Sequence, residues 1–132
     1  DTIAWWEKQC LNARTMSLTP SPTDVPVEEG LDTLRAWASS KKDNKSYVWS
    51  RGSLDGVMLH SIEHKVGTEP IFPYPRWRDV RTAIDFMTGS TNGYCTVDHP
   101  EFNYDVDVTK HNPIDDCALD IMMLLYGKSK IT

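Results

Sequence analysis

Apolar residues return at helical spacing along most of the chain, and nearly every run is bracketed by start and stop residues. Ile3, Trp6, Cys10 and Ala13 lie three or four apart behind Asp1, which predicts an opening helix capped by that carboxylate, with its tryptophans in the core. Residues 17–26 hold three of the eight prolines among small polar residues and predict a loop. Pro26 then enters the first turn of a second helix with the stripe Val27, Leu31, Leu34 and Trp37. The polar, lysine-containing run 39–46 leads into Tyr47-Val48-Trp49, short and rich in strand formers, which predicts a buried strand. Arg51-Gly52-Ser53 is turn chemistry, and Leu54, Met58, Ile62 and Val66 follow at helical spacing until Gly67 offers a stop.

The second half is more broken. Residues 70–77, PIFPYPRW, carry three prolines and three aromatics and predict an extended surface segment. Asp79 caps a short helix over 80–87 that Gly89 ends. From 90 to 110 no period persists, although Tyr104, Val106 and Val108 alternate with Asp105 and Asp107, and we expect a long functional loop. The last helix has Asn112 as cap, Pro113 first, Asp115 third, then Ala118, Ile121, Met122 and Leu125, with Gly127 beyond its end. Helices and short strands in alternation predict an α/β or α+β domain over 1–132, yet one strand is too little sheet for at least four helices.

Composition narrows the class. With 39% apolar and 25% charged positions the chain suits one soluble domain. Its longest apolar run, residues 121–125, falls far short of the ~20 a membrane span needs, and the first residues lack the pattern of a signal peptide. Three cysteines without CxxC spacing argue against a disulfide framework and a zinc ribbon, so a cytoplasmic setting is expected. The net charge of −5 hides two compact elements: seven acids against one lysine between Asp98 and Asp120, and three of the six arginines, Arg76, Arg78 and Arg81, within six residues.

The strongest local chemical signal is His111-Asn112-Pro113-Ile114-Asp115-Asp116, a histidine just before a helix and a carboxylate five positions later. Such a pair suits metal-assisted hydrolysis, the carboxylate holding Mg²⁺ or Mn²⁺ and the histidine deprotonating the attacking water. Asp115 has the spacing of a capping residue and is assigned that role. Asp55, a lone acid where a strand gives way to a helix, supplies the second feature, since active-site residues of open α/β sheets sit at strand ends. Arg78 and Arg81 are candidates either for a phosphate backbone or for a salt-bridge network that holds the acidic loop. His60 and His64 are four apart as in zinc-binding pairs, but a solvated helix face is the better reading. No phosphate-binding GxxxxGK, GxSxG or GxGxxG motif is present.

Four stretches together resemble the DEDDh-type 3′-5′ exonucleases of the ribonuclease H-like superfamily, above all the bacteriophage exonuclease A group and its bacterial exoribonuclease relatives. They are Ile3-Ala4-Trp5-Trp6-Glu7-Lys8-Gln9, Val48-Trp49-Ser50-Arg51-Gly52 with Asp55, Arg78-Asp79-Val80-Arg81-Thr82, and His111 to Ala118, in the family's order over nearly the whole chain. The resemblance implies an α/β fold with a mixed sheet flanked by helices. It also implies two Mg²⁺ or Mn²⁺ ions, with Asp55 and Asp116 as metal ligands and His111 as general base. The substrate would be DNA or RNA with a 3′ end, hydrolysed to 5′-mononucleotides. The family's first motif, an Asp-x-Glu on the opening strand, has no counterpart here, so the chain is expected to lack the N-terminal strands. Either that segment is lost by truncation or processing, or it belongs to a separate polypeptide, or the chain is a non-catalytic remnant. The partner would be a second copy in a homodimer or a separate N-terminal segment, and no membrane partner is expected. Two rivals follow: a ribonuclease H-like module that binds nucleic acid or a partner without hydrolysis, and a single-metal phosphoesterase using Asp55, Asp116 and acids of the 98–107 loop.

Overall fold

The computed structural model describes residues 1–41 and 46–129, so positions 42–45 of the polar run lie outside the described residues. The helices are α1 (Thr2–Trp6), α2 (Leu11–Leu18), α3 (Val27–Lys41), α4 (Leu54–Val66), α5 (Val80–Thr88), α6 (Tyr104–Asp107) and α7 (Pro113–Tyr126). The strands are β1 (Val48–Ser50) and β2 (Trp77–Asp79), the second preceded by a 3₁₀ turn, Tyr74–Arg76. Contacts divide the chain into two compact units, Thr23–Ala83 and Asp1–Pro22 with Ile84–Thr132, the division falling within α5. The architecture is mixed α/β, and among the described residues no helix is long and apolar enough to cross a membrane.

In the unit Thr23–Ala83, β1 and β2 pair in parallel, with Val48, Trp49 and Ser50 opposite Trp77, Arg78 and Asp79. Parallel strands need a crossover, and α4 supplies it. β2 was hidden in the proline-aromatic segment: Pro73 and Pro75 confine the chain to a 3₁₀ turn, and extended pairing starts only at Trp77. β1 is half exposed rather than buried, with Trp49 49% accessible. The core gathers Leu31, Ala38 and Ile71 with Leu34, Leu59, Ile62, Val66 and Phe72. Two helical faces therefore differ from the predicted stripes. α3 buries Ala38 and leaves Val27 and Trp37 exposed, and α4 exposes Leu54 and Met58. α4 is apolar on more than one side, so spacing alone offers two faces. Packing against Ile71 and Phe72 selects the one with Leu59, Ile62 and Val66.

A carboxylate sits in this buried face. Glu63 is 2% exposed, and its Oε1 accepts a 2.7 Å hydrogen bond from the Ile71 N–H. The residue thus holds the chain after α4 so that Ile71 enters the core. A second carboxylate, Asp79, ties the strand ends together. Its Oδ1 accepts from Gly52 N–H at 3.0 Å and Arg81 N–H at 3.2 Å, and its Oδ2 from the Thr82 hydroxyl at 2.6 Å. Gly52 makes that approach with φ 81°, a conformation that favours glycine. The Thr82 hydroxyl, with the Gly52, Arg81 and Thr82 amides, holds Asp79 below the usual carboxylate range against a smaller opposing effect of burial.

In the other unit the single opening helix of the sequence reading is two. Asp1 caps α1 as expected, through Ile3 N–H at 3.0 Å. The Gln9 side chain donates to the Trp5 carbonyl at 2.9 Å, taking the acceptor a continuing helix would use, and α2 starts only at Leu11. Of the expected stripe, Ala13 is buried while Ile3 is 71% exposed. α7 begins as predicted, with the Asn112 side chain accepting from Ile114 N–H and Pro113 first. Its buried residue is Met123, whereas Ile121 and Leu125 are exposed. The 90–110 stretch is mostly irregular, with α6 as a single turn where strand-like alternation had been noted. An antiparallel bridge from Val97 to Gly127 fastens it to the end of α7. Gly127 allows that closeness, because a Cβ there would meet the Met123 carbonyl and the Cys95 sulfur.

Two stability effects follow. Glu63→Ala leaves the Ile71 amide without an acceptor and lowers unfolding free energy by about 2 kcal/mol in urea titration, whereas Glu63→Gln retains an acceptor and costs less than half of that. Asp79→Ala costs about 1 kcal/mol at pH 7, the size of a lost N-cap. Because the folded-state pKa is depressed, that contribution is complete well above the ordinary carboxylate value of 3.8 and lost as pH falls through the folded value. The difference in melting temperature between wild type and Asp79→Ala therefore closes in acid.

Candidate active site

The two parallel strands end together, and what leaves them is chemically distinctive. From β1 the chain turns through Arg51-Gly52-Ser53 into α4, whose second residue is Asp55, exposed in the first turn. From β2 it passes directly into α5, placing Arg78 in the middle of the strand and Arg81 in the first helical turn. Among the described residues, neither guanidinium has a carboxylate partner. Arg78 donates to the Pro75 and Trp77 carbonyls at 2.9 and 2.7 Å and sits 4.1 Å from the centre of the Tyr47 ring. Arg81 lies by the Gly52 turn, where its guanidinium would be 3.9 Å from a Cβ added to the glycine.

The other unit carries His111 and Asp116. Thr109–Asn112 is a turn closed by Asn112 N–H to the Thr109 carbonyl at 3.1 Å, with His111 in it at φ 63°. A histidine in the left-handed region is strained and persists only where its surroundings determine it. Three contacts do so. The Ser17 hydroxyl donates to the His111 carbonyl at 3.4 Å. Asp115 reaches back past the cap and accepts from Thr109 N–H at 3.0 Å, a structural role as expected though with a more distant amide. The imidazole packs edge-to-face against Trp5, with ring centres 4.8 Å apart, and Trp6 stands 6.3 Å away. The two indoles are themselves edge-to-face at 5.0 Å.

The tryptophans are therefore not core residues: Trp5 is 45% exposed, and the pair makes a wall for His111. Sequence reasoning missed this. The available signal was the Trp5-Trp6 pair within one of the stretches that resemble the family. Asp116 occupies the first turn of α7, exposed, with its amide bonded to the Asn112 carbonyl at 2.8 Å. Tyr47, the perch of Arg78, and the buried Glu63 also went unnoticed in the sequence. His60 has an exposed side chain with Nδ1 3.7 Å from Glu63 Oε2, and His64 is exposed, as the solvated-face reading expects.

The donors do not by themselves complete a metal centre. Among the described residues no three of His, Cys, Asp and Glu gather where they could hold an ion. Two Mg²⁺ ions need several oxygens in tight geometry. Asp55 belongs to one compact unit, and Asp116 with His111 to the other.

Comparison with known proteins identifies the family. Residues 1–126 match the family model described as the Rv2179c-like 3′-5′ exoribonuclease domain. The chain is 30% identical over 142 residues to an exodeoxyribonuclease of Enterobacteria phage T4, an alignment covering 96% of this chain and 61% of that protein. It thus spans about three fifths of the length of the curated relative it matches. No solved structure gives a significant match. A family match that runs from the first helix to the end of α7 means that the chain belongs to the Rv2179c-like 3′-5′ exoribonuclease domain family, exonucleases of the ribonuclease H-like type.

Proposed function

We propose that this chain provides the histidine and two of the carboxylates of a metal-dependent exonuclease that removes 5′-mononucleotides from the 3′ end of DNA or RNA. The observation that carries the reading is His111 itself. It is a strained, aromatic-braced imidazole one residue before the cap of α7, and Asp116 follows in the first turn. Strain of this kind collects where function requires a side chain in one place. His111 acts as the general base that takes a proton from the attacking water. Asp55 and Asp116 are the ligands this chain offers to Mg²⁺ or Mn²⁺, and Arg78 and Arg81 bind the substrate backbone.

Because the described residues bring no third donor to either aspartate, the proposal takes the remaining carboxylates from elsewhere. They come from an Asp-x-Glu segment, carried on a further stretch of polypeptide or on a partner chain. The relative's greater length supports the first source. The donor shortage also favours a second reading, a module that binds nucleic acid without cutting it.

The experiment is degradation of 3′-labelled and 5′-labelled DNA and RNA by the purified chain, alone and supplied with an Asp-x-Glu segment, with Mn²⁺ and with EDTA. Metal-dependent release from the 3′ label is expected once the segment is supplied, together with a loss of about a hundredfold or more in His111→Ala. Activity unchanged in that variant removes His111 from the chemistry. Complete inactivity on all four substrates, persisting when an Asp-x-Glu segment is supplied, leaves the binding module.

A further inference from the structure

The proline-aromatic segment has a use beyond seating Ile71 in the core. Tyr74 lies between Pro73 and Pro75 in a 3₁₀ turn that Arg76 N–H closes onto the Pro73 carbonyl at 2.9 Å. The ring is 92% exposed, so a rigid backbone displays an aromatic surface that packs on almost nothing. Tyr74 lines a groove of about 920 Å³ within the Thr23–Ala83 unit, shared with Phe72, Trp77 and Arg78 and with Ser53 and Gly56, which bracket Asp55 in the chain.

Arg78 is equally preorganised. One guanidinium nitrogen is taken by the Pro75 and Trp77 carbonyls, the Tyr47 ring lies 4.1 Å away, and no carboxylate among the described residues neutralises the charge. Arg76 stands 5.9 Å from the same ring and donates to the Ser46 carbonyl at 3.2 Å. A salt bridge would have been the ordinary way to fix this side chain. Carbonyls and a π-face fix it instead and leave its positive charge and remaining N–H groups available to an anion.

We propose that Arg78 and Tyr74 form a nucleotide subsite along the groove they line with Ser53, Gly56, Phe72 and Trp77, with the phosphodiester on the guanidinium, the base on the Tyr74 ring, and Tyr47 positioning Arg78. This rests on the exonuclease reading and extends it to a nucleotide away from the reacting bond. A base stacked within a duplex has no free face for Tyr74, so the subsite takes an unpaired nucleotide.

The test is fluorescence anisotropy in EDTA with 5′-fluorescein-labelled single-stranded eight-mers, oligothymidylate and oligouridylate, over a range of salt concentrations. Tyr74→Ala weakens binding about tenfold while Tyr74→Phe binds like wild type, since stacking needs the ring and not the hydroxyl. Arg78→Ala reduces the slope of log affinity against log salt by about 0.7, one released counterion, and Arg78→Lys restores the slope. Tyr47→Ala weakens wild type but has no further effect on Arg78→Ala. Wild-type affinity in Tyr74→Ala, an unchanged salt slope in Arg78→Ala with an unaltered melting curve, or no binding by wild type overturns the subsite. Binding that depends on both residues, with no release from a 3′ label in Mn²⁺ even when an Asp-x-Glu segment is supplied, keeps the subsite and rejects the exonuclease reading. Release under those conditions with binding indifferent to both variants does the reverse.

Discussion

The Asp79 carboxylate is the joint of the strand-bearing unit. It receives the amide of the turn that leaves β1 and the first donors of the helix that leaves β2, and so pins two chain directions to one point. A three-residue parallel ladder has too few hydrogen bonds to hold its register alone. Asp79 adds a tie at the end from which Asp55 and Arg81 depart. The tie is ionic in character but local, which makes it insensitive to salt and sensitive to acid.

What was legible in the sequence was local chemistry. Asp1, Asn112 with Pro113, Asp79, Gly67 and Gly89 act on their own neighbours, and helix ends appear where these residues place them. What was not legible was anything decided by a distant partner. α3 and α4 offer more than one apolar face, and the buried one is selected by Ile71 and Phe72, which no count along either helix contains. Glu63 is a surface residue by type and a core residue by position. β2 is shorter than the proline segment that masks it.

The candidate site divides the same way. His111, Asp55 and Asp116 were named from spacing and lie at the ends of elements, where the sequence put them. The wall behind His111 was beyond reach because Trp5 and His111 are more than a hundred residues apart. At the break after α1 the Trp5 carbonyl is taken by the Gln9 side chain and the Lys8 N–H rather than by the next helical turn.

The left-handed backbone at His111 sets the fold at odds with the role proposed for that residue. Glycine or asparagine tolerates that conformation better than histidine does. Selection for thermal resistance alone will therefore tend to replace the imidazole and leave a sturdier protein without it. Sequences optimised for folding and those optimised for turnover should part company at this position, so consensus stabilisation of such a chain has to hold residue 111 fixed.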